Sequence, residues 1–579
     1  MKKWSTGWND GAHLLHALAL HPAKDFLAAL AVILLASGAQ AQPSAGSLLK
    51  QIQGETPPVT LPQTLPKVES AKAQEQGSDT IKFVVKRFDF VGNTRLSSDE
   101  LQTVVAPYLN RPVTSDDLKA AADAIAEHYR QRGWLVRAYL PQQDITDGVV
   151  TIRVVEASLG GLVLDNPSKR VSNARVEAWI YGRIPRGSLL SLDELDRTLL
   201  TLGDMPDVSV TGSLQTGEKP GETVLGVTVA DKPLVDAVLG VDNFGSASTG
   251  QNRGTLALNV NGALGLGDQL GVYGLYTEGT RYARLSLTAP GAGNGLRVGV
   301  NTSYLRYRVV NASFAQLGVD GSSHTGGLEL AYPMVRSRPA NLYFTSSYNY
   351  SAFDNRDATG PTSQYNTSVW LGSLSGNRMD GFAGGGVTVG SLTLSGGSVN
   401  LDASPSLQAD AIGPQVNGHF TKLRYAANRV QTLCESLSAY LAVSGQVASK
   451  NMDSSEQLYL GGANDVRAYA TGQGNASQGM LTTFELRQRL PWQMQLTGFY
   501  DYGHVQTYKS SGFASAPADN GYVLQGSGAS LAWSGPQGIQ IKGTWAQRSG
   551  HLPAGVRQAL DGNGGTSSNR YWLNASIPI

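Results

Sequence analysis

Apolar and polar positions follow two different periods along the chain, and the change falls near residue 234. Before it, apolar residues recur at helical spacing. In "TSDDLKAAADAIAEHYRQRG" five of them share one face: Leu118, Ala121, Ala122, Ile125 and Tyr129. After it, the helical period disappears and the pattern predicts sixteen strands of roughly ten or more residues. These strands lie at approximately 234–245, 253–262, 268–277, 280–290, 294–309, 321–335, 340–355, 366–380, 384–399, 418–433, 436–450, 478–490, 494–505, 520–534, 538–549 and 570–579.

Two segments ahead of residue 234 share one order of elements, β-α-α-β-β. In residues 81–156 the strand "FVVKRFDFVG" precedes two helices, the first of which opens with a capping box from Ser97 to Glu100. The strands "WLVRAYL" and "GVVTIRVVEA" close this unit, and residues 157–233 repeat the order more loosely. Neither unit carries a cluster of catalytic side chains, which favours docking over chemistry.

The strand-rich part has the features of a membrane barrel. Its strand count is even, its turns after even-numbered strands are mostly tight, and its connections after odd-numbered strands are mostly long. The predicted fold is therefore two small periplasmic α/β modules followed by a 16-stranded antiparallel transmembrane β-barrel over residues 234–579. The short turns face the periplasm in this arrangement. A soluble glycine-rich solenoid is the alternative, and the lack of a fixed short repeat disfavours it.

The first eighty residues predict a signal peptide, a short helix and a flexible linker. Lysines precede the apolar run "FLAALAVILL", and "SGAQAQ" supplies a cleavage site, so residues 1–41 form a signal peptide cut before Gln42. Ten apolar residues are too few for a helix to span a bilayer. Residues 42–55 predict a short amphipathic helix through Leu48, Leu49 and Ile52. Residues 56–80, rich in Pro, Gln, Ser and Thr, predict a flexible linker.

Composition and motifs point away from catalysis. The net charge is +1, which gives no electrostatic reason to expect nucleic acid as a partner. The single cysteine, Cys434, excludes an internal disulfide. Walker A, H-E-x-x-H and G-x-S-x-G patterns are absent, and the eight histidines are scattered. We therefore expect no catalytic residues, no metal site and no cofactor.

One long loop combines a charge with small residues. "GGANDVRAYATGQG", Gly461 to Gly474, follows the eleventh strand and carries Arg467. A loop so rich in small residues could fold back into the barrel. In the thirteenth strand, alternation points Phe499 and Asp501 inward, and Glu485 points inward on the neighbouring strand. An unpaired desolvated charge is costly, so we expect Arg467 to pair with Asp501, joined by Glu485.

These motifs together resemble the transporters of two-partner secretion. "DVRAYATG", with Val466, Arg467, Ala468 and Tyr469, is similar to their Val-Arg-Gly-Tyr loop signature. "GFYDYG", with Phe499, Asp501 and Gly503, is similar to their Phe-x-Asp-x-Gly strand motif. Residues 81–156 and 157–233 resemble the two polypeptide-transport-associated (POTRA) modules of that family. The sequence departs from the pattern at Ala468, where glycine is usual, and at its last residue, Ile579, where an aromatic is common.

The resemblance implies an outer-membrane pore that recognises a secreted exoprotein in the periplasm and passes it, unfolded, to the cell surface. It implies that the modules bind the exoprotein's N-terminal secretion domain and that the N-terminal helix plugs the resting barrel. It also implies that Arg467 pairs with Asp501. The other expected partners are outer-membrane lipid and the barrel-assembly machinery that inserts the protein. An outer-membrane protein assembly factor and a passive solute channel are the alternative functions.

Overall fold

The computed structural model describes residues 43–55, 83–145, 147–291, 295–311, 315–560 and 567–579. The predicted signal peptide at 1–41 and the predicted linker at 56–80 lie outside these ranges. The N-terminal helix predicted over residues 42–55 is present as α1, Ala45–Glu55. It begins after Pro43 and Ser44, later than predicted. None of the helices in the described ranges is long and apolar enough to cross a bilayer.

The first α/β module contains five strands and two α-helices. In chain order they are β1 (Phe83–Val84), β2 (Arg87–Val91), α2 (Ser98–Val105), β3 (Pro112–Val113), α3 (Ser115–Gln131), β4 (Val136–Tyr139) and β5 (Val149–Glu156). Strand β5 is central, parallel to β2 and antiparallel to β4. The predicted first strand is two short strands, because β1 leaves the sheet to pair with β3. All five residues of the predicted apolar face of α3 are buried.

The second module repeats this topology. It comprises β6 (Ser158–Asp165), α4 (Asn173–Tyr181), α5 (Leu192–Gly203), β7 (Val208–Thr216) and β8 (Glu222–Asp231). Again the last strand is central, parallel to the first and antiparallel to the other. Ser191 caps helix α5, since its side chain accepts the backbone N–H of Glu194.

A closed antiparallel barrel of sixteen strands follows, so the predicted count is confirmed. Its wall consists of β9 (Val235–Asp242), β10 (Arg253–Asn261), β11 (Gln269–Tyr276), β12 (Thr280–Pro290), β13 (Arg297–Arg308), β14 (Asp320–Arg336), β15 (Ala340–Asp357), β16 (Gly360–Asp380), β17 (Gly386–Asn400), β18 (Gly418–Thr432), β19 (Leu437–Ala448), β22 (Gln478–Leu490), β23 (Met494–Gln506), β24 (Gly521–Ser534), β25 (Gln540–Ser549) and β26 (Asn569–Pro578). The barrel closes where β26 pairs with β9.

The long connections carry structure that the sequence pattern did not predict. A two-stranded hairpin, β20 (Leu458–Tyr459) with β21 (Asn475–Ala476), lies between β19 and β22. Short helices α6 (Leu407–Ile412) and α7 (Ala554–Leu560) lie in two other long loops. Each element is too short to show a hydrophobic period, and this explains why the pattern missed them.

Side chains alternate across the wall as predicted. On β22, Phe484 and Leu486 are exposed on the outer surface, whereas Glu485 between them is buried on the inner side. On β23, Tyr500 is exposed and its neighbours Phe499 and Asp501 are buried. An apolar outer surface and a polar interior are what a barrel in lipid requires.

The second module is attached to the short-turn end of the barrel. Arg336, at the end of β14, forms a two-pronged ion pair with Asp204 beyond α5, with both N–O distances 2.8 Å. Arg197 on α5 donates to the carbonyls of Pro333 and Met334. These bonds join α5 and the residue after it to the last residues of β14 and fix the module against the barrel opening.

Candidate functional site

The barrel interior contains two segments that are not part of its wall: α1 and the lumen loop, which we define as residues 449–477. The lumen loop leaves β19, forms the β20–β21 hairpin inside the barrel and returns to β22. Its residues Val466, Ala468 and Tyr469 are 0% exposed. They pack in one cluster with inward side chains of β22 to β25, among them Phe499 and Leu524.

Arg467 is the centre of the contact between loop and wall. Its Nε and Nη2 donate to the two carboxylate oxygens of Asp501 at 2.8 and 2.7 Å, and its Nη1 donates to Glu485 at 2.7 Å. Its backbone N–H also donates to Asp501, at 3.1 Å. The guanidinium lies 3.4 Å from the ring centroid of Phe499. Its backbone carbonyl accepts the indole N–H of Trp572 at 2.8 Å.

The charges of this cluster balance, and its central pair is closed to solvent. The side chains of Arg467 and Asp501 are 5% and 0% exposed. Thr483 donates to Asp501 at 3.1 Å, and Arg487 forms a second ion pair with Glu485 at 2.7 Å. Two guanidinium groups thus meet two carboxylates, and the hydrogen bonds offset the cost of burying each charge. The structure brings together every group that the sequence paired, and adds Trp572 and Arg487.

Two wall glycines let the loop approach closely. A Cβ built on Gly526 would lie 2.5 Å from the Cβ of Ala468, and one on Gly503 would lie 2.9 Å from the side chain of Val466. A side chain at either position would push the loop off the wall. Ala468 itself has no positive φ, so the alanine at this departure from the family signature costs no backbone strain.

Helix α1 lies against the opposite side of the interior. Leu48, Leu49 and Ile52 are buried and pack with inward residues of the wall, including Leu305 on β13 and Phe353 on β15. The backbone N–H of Ala45 donates to the Asn355 side chain at 2.8 Å. Asn355 lies at the end of β15 that is away from module two, which contacts Arg336 at the other end of the β14–β15 hairpin, so the helix begins near the extracellular end of the barrel.

The helix and the lumen loop also contact each other. The hydroxyls of Ser44 and Ser454 lie 2.9 Å apart, and a Cβ on Gly472 would lie 3.0 Å from the Gln51 side chain. Near the same contact, Lys422 of β18 forms a buried ion pair with Glu456 of the loop. Loop and helix both lie in the lumen and contact each other there.

The described residues contain no group of histidine, cysteine or acidic side chains arranged to hold a metal ion. Cys434 lies exposed in a turn between β18 and β19. The contacts within this interior are ion pairs, hydrogen bonds and apolar packing.

Comparison with known proteins assigns the family. A model described as "Haemolysin secretion/activation protein ShlB/FhaC/HecB" matches residues 221–532, and one described as "POTRA domain, ShlB-type" matches residues 83–157. The heme/hemopexin transporter protein HuxB of Haemophilus influenzae is 28% identical, with 92% of this chain and 94% of that protein covered. The outer membrane transporter CdiB of Dickeya dadantii is 24% identical, covering 80% and 81%.

The fold comparison agrees. CdiB from Escherichia coli superposes with a TM-score of 0.68 at 19% identity, covering 93% of this chain and all of that one. CdiB from Acinetobacter baumannii gives a TM-score of 0.61 at 16% identity, covering 92% of this chain and 96% of that one. With a sixteen-stranded barrel and a POTRA domain in the periplasm, the chain belongs to the ShlB/FhaC/HecB family of haemolysin secretion/activation proteins, the outer-membrane transporters of two-partner secretion.

Proposed function

We propose that this transporter exports its exoprotein through a lumen that α1 and the lumen loop close at rest. The observation that carries the proposal is that both segments fill the interior without belonging to its hydrogen-bonded wall. A polypeptide cannot pass while both are in place. Export therefore requires α1 to leave, while the strand ladder that forms the pore stays intact.

The two α/β modules bind the exoprotein before it enters the pore, in this proposal. Module two, residues 157–233, repeats the topology of the matched POTRA domain. Its ion pair from Asp204 to Arg336 places it at the periplasmic opening. An unfolded exoprotein with an N-terminal secretion domain, held by the modules, would be next to the pore. We propose no catalytic residue in either module.

Arg467 has the role of a latch in this scheme. It joins the loop to β22 and β23 through charged groups on both strands. In this proposal lipid surrounds the outer wall, and the barrel-assembly machinery inserts the barrel into the membrane. Ile579, the exposed last residue, follows β26 and donates its N–H to the carbonyl of Ala237 beside β9. The chain therefore pairs across the barrel closure although its last residue is not aromatic.

A passive solute channel is a weaker alternative because the lumen is filled by the chain itself. An assembly factor is also weaker, since such proteins usually carry more than two periplasmic modules. Helix α1 is bonded near the outer end of the barrel and precedes module one in the chain, with residues 56–82 between them. Neither alternative function explains this arrangement.

A disulfide lock tests whether α1 must move. Ser44 and Ser454 are replaced by cysteine in a Cys434→Ser background, since their hydroxyls are 2.9 Å apart. With the cognate exoprotein expressed, the oxidised variant should export at a small fraction of the parent rate, and reductant should restore export. The matched control is each single cysteine variant, which cannot form the lock. Full export by a quantitatively oxidised double variant would show that the plug need not leave.

A further inference from the structure

The inner surface of three wall strands, β15 to β17, carries no charge. The exposed outer residues of these strands include Tyr348, Trp370 and Leu392, so the alternate positions face the lumen. At those inward positions, every residue is uncharged between 341 and 355 of β15, 365 and 377 of β16, and 387 and 399 of β17.

Hydroxyl side chains make up much of this uncharged surface. In the strand register, Thr345, Ser373 and Thr393 lie side by side, and Ser375 lies beside Ser391. The Thr393 hydroxyl donates to that of Ser373 at 2.8 Å. We define the hydroxyl face as six half-buried inward residues: Thr345, Ser347, Ser373, Ser375, Ser391 and Thr393.

The opposite wall is charged, and the lumen loop is bonded to it. Glu485 on β22, Asp501 on β23 and Arg548 on β25 face inward. The two carboxylates bind Arg467, and Arg548 donates to the carbonyl of Ala468 at 3.3 Å. The charges of this wall therefore hold the loop in place.

Helix α1, by contrast, lies on the uncharged side. Its apolar side chains pack in one cluster with Phe353 of β15, Val369 of β16 and Val399 of β17. Val369 and Ser373 share the inner face of β16, so the hydroxyl face continues the surface that the helix covers. Departure of α1 would open space along β15 to β17, while the loop stays bonded to β22 and β23.

A hydroxyl surface suits a chain in transit. An unfolded polypeptide inside the barrel needs partners for its backbone N–H and C=O groups, and a hydroxyl can both donate and accept. Bonds between neutral groups are about half as strong as charge-assisted bonds, so each contact is easily released. Passage through a pore requires many such weak contacts, whereas a buried charge would retain any oppositely charged residue.

We propose that the exoprotein crosses the barrel along the hydroxyl face, in the space that α1 vacates. The hydroxyl face bonds the backbone of an extended chain rather than particular side chains. This inference rests on the proposed function, because it requires α1 to leave. It adds the side of the lumen that the chain follows and the residues that contact it in transit.

Disulfide exchange with a synthetic peptide tests which wall the chain contacts. Cysteine replaces Ser375 on the hydroxyl face or, as the matched control, Asn574, a half-buried inward residue on β26, eight strands further around the barrel. Both variants carry Cys434→Ser, because Cys434 is exposed. They also carry Leu49→Asp, which places a charge in the apolar contact of α1 and holds the helix out of the lumen.

The purified full-length variants in detergent are mixed with an uncharged peptide of Gly, Ser, Asn and Thr whose central cysteine is activated as a mixed disulfide. Mass spectrometry measures the rate at which the protein–peptide adduct forms. Dividing this rate by that of a small uncharged methanethiosulfonate corrects for the reactivity of each thiol. Heat-modifiable gel mobility confirms that each barrel is folded.

We expect the corrected rate for Ser375→Cys to exceed that for Asn574→Cys at least tenfold. Equal rates, or a faster reaction at Asn574→Cys, would overturn the hydroxyl face as the path. A peptide that reaches neither cysteine, while the small reagent reaches both, would overturn the proposed function itself, because displacing α1 would not open the lumen to a chain. Ser391→Cys replaces Ser375→Cys if that variant does not fold.

A second peptide, with lysine in place of asparagine, tests whether the hydroxyl face bonds the backbone. Its corrected rate at Ser375→Cys should lie within threefold of the rate for the uncharged peptide. A larger difference would show that the face distinguishes side chains.

Discussion

Replacing Arg467 with alanine should release the lumen loop from the wall while the barrel stays closed. The side chain makes three hydrogen bonds of 2.7–2.8 Å to Asp501 and Glu485, and it is 5% exposed. Truncating one partner of a buried ion pair costs about 3–5 kcal/mol, because the other charge stays buried. Since 1.4 kcal/mol is a factor of ten, the equilibrium constant for loop opening should rise about 140- to 3,700-fold.

The structure also predicts an order among variants. Asp501→Ala leaves Arg467 with one carboxylate, Glu485, so it should open the loop slightly less than Arg467→Ala. Glu485→Ala removes one of the three side-chain bonds and should have the smallest effect. The double variant Arg467→Ala/Asp501→Ala removes both charges, and should therefore cost less than the sum of the single changes.

Hydrogen exchange measured by mass spectrometry on the full-length protein in detergent reads the loop and the wall separately. Loop amides from 458 to 476 should exchange faster in Arg467→Ala, whereas amides of β22 and β23 should remain as protected as in the parent. Export of the exoprotein should fall in Arg467→Ala and Asp501→Ala, with the amount of barrel in the membrane unchanged. Arg429→Ala is the control, because Arg429 forms an ion pair with Asp380 at the periplasmic rim and both side chains are about 30% exposed.

Two results would refute the latch. Loop exchange in Arg467→Ala within threefold of the parent would mean that apolar packing alone holds the loop. Normal export by both Arg467→Ala and Asp501→Ala would mean that the ion pair plays no part in transport.

Two further changes probe the packing of the loop and the stability of module two. Gly526→Ala should expose the loop amides as Arg467→Ala does, because the new methyl would lie 2.5 Å from the Cβ of Ala468; unchanged protection would show that the loop can shift at no cost. Burial raises the pKa of the Asp207 carboxyl above its usual range, so its ionised form opposes folding, and module two gains stability as the pH falls through that raised pKa. Asp207→Asn should therefore slow hydrogen exchange in module two at pH 7 and have no effect at pH 3, and a variant that exchanges faster than the parent at pH 7 would contradict this.

The strands of the wall were predictable because their pattern is local. Each strand alternates over ten or more residues, so its position and its inner face can be read without knowing its neighbours. The inward direction of Asp501 and Glu485 follows from that alternation. Arg467 could be paired with them because a lone charge in a small-residue loop needs a partner if it is buried.

Other contacts join residues far apart in the chain and depend on how the barrel closes. Trp572 reaches the carbonyl of Arg467 only because β26 returns beside β9, which brings the loop and the last strand to one side of the lumen. The need for glycine at Gly526 comes from the distance between loop and wall. The ion pair between Asp204 and Arg336 depends on the angle at which module two meets the barrel.

The sequence by itself determined the two modules, the sixteen strands, their inner and outer faces and the charges available for a latch, because hydrophobic periodicity and charge burial act over short stretches of chain. Only the tertiary structure decided how the helix and the loop lie in the lumen and where module two is attached to the barrel. Those features depend on strand register and on closure of the whole barrel. A local sequence pattern does not determine the distance between two strands that meet only when the sheet is complete.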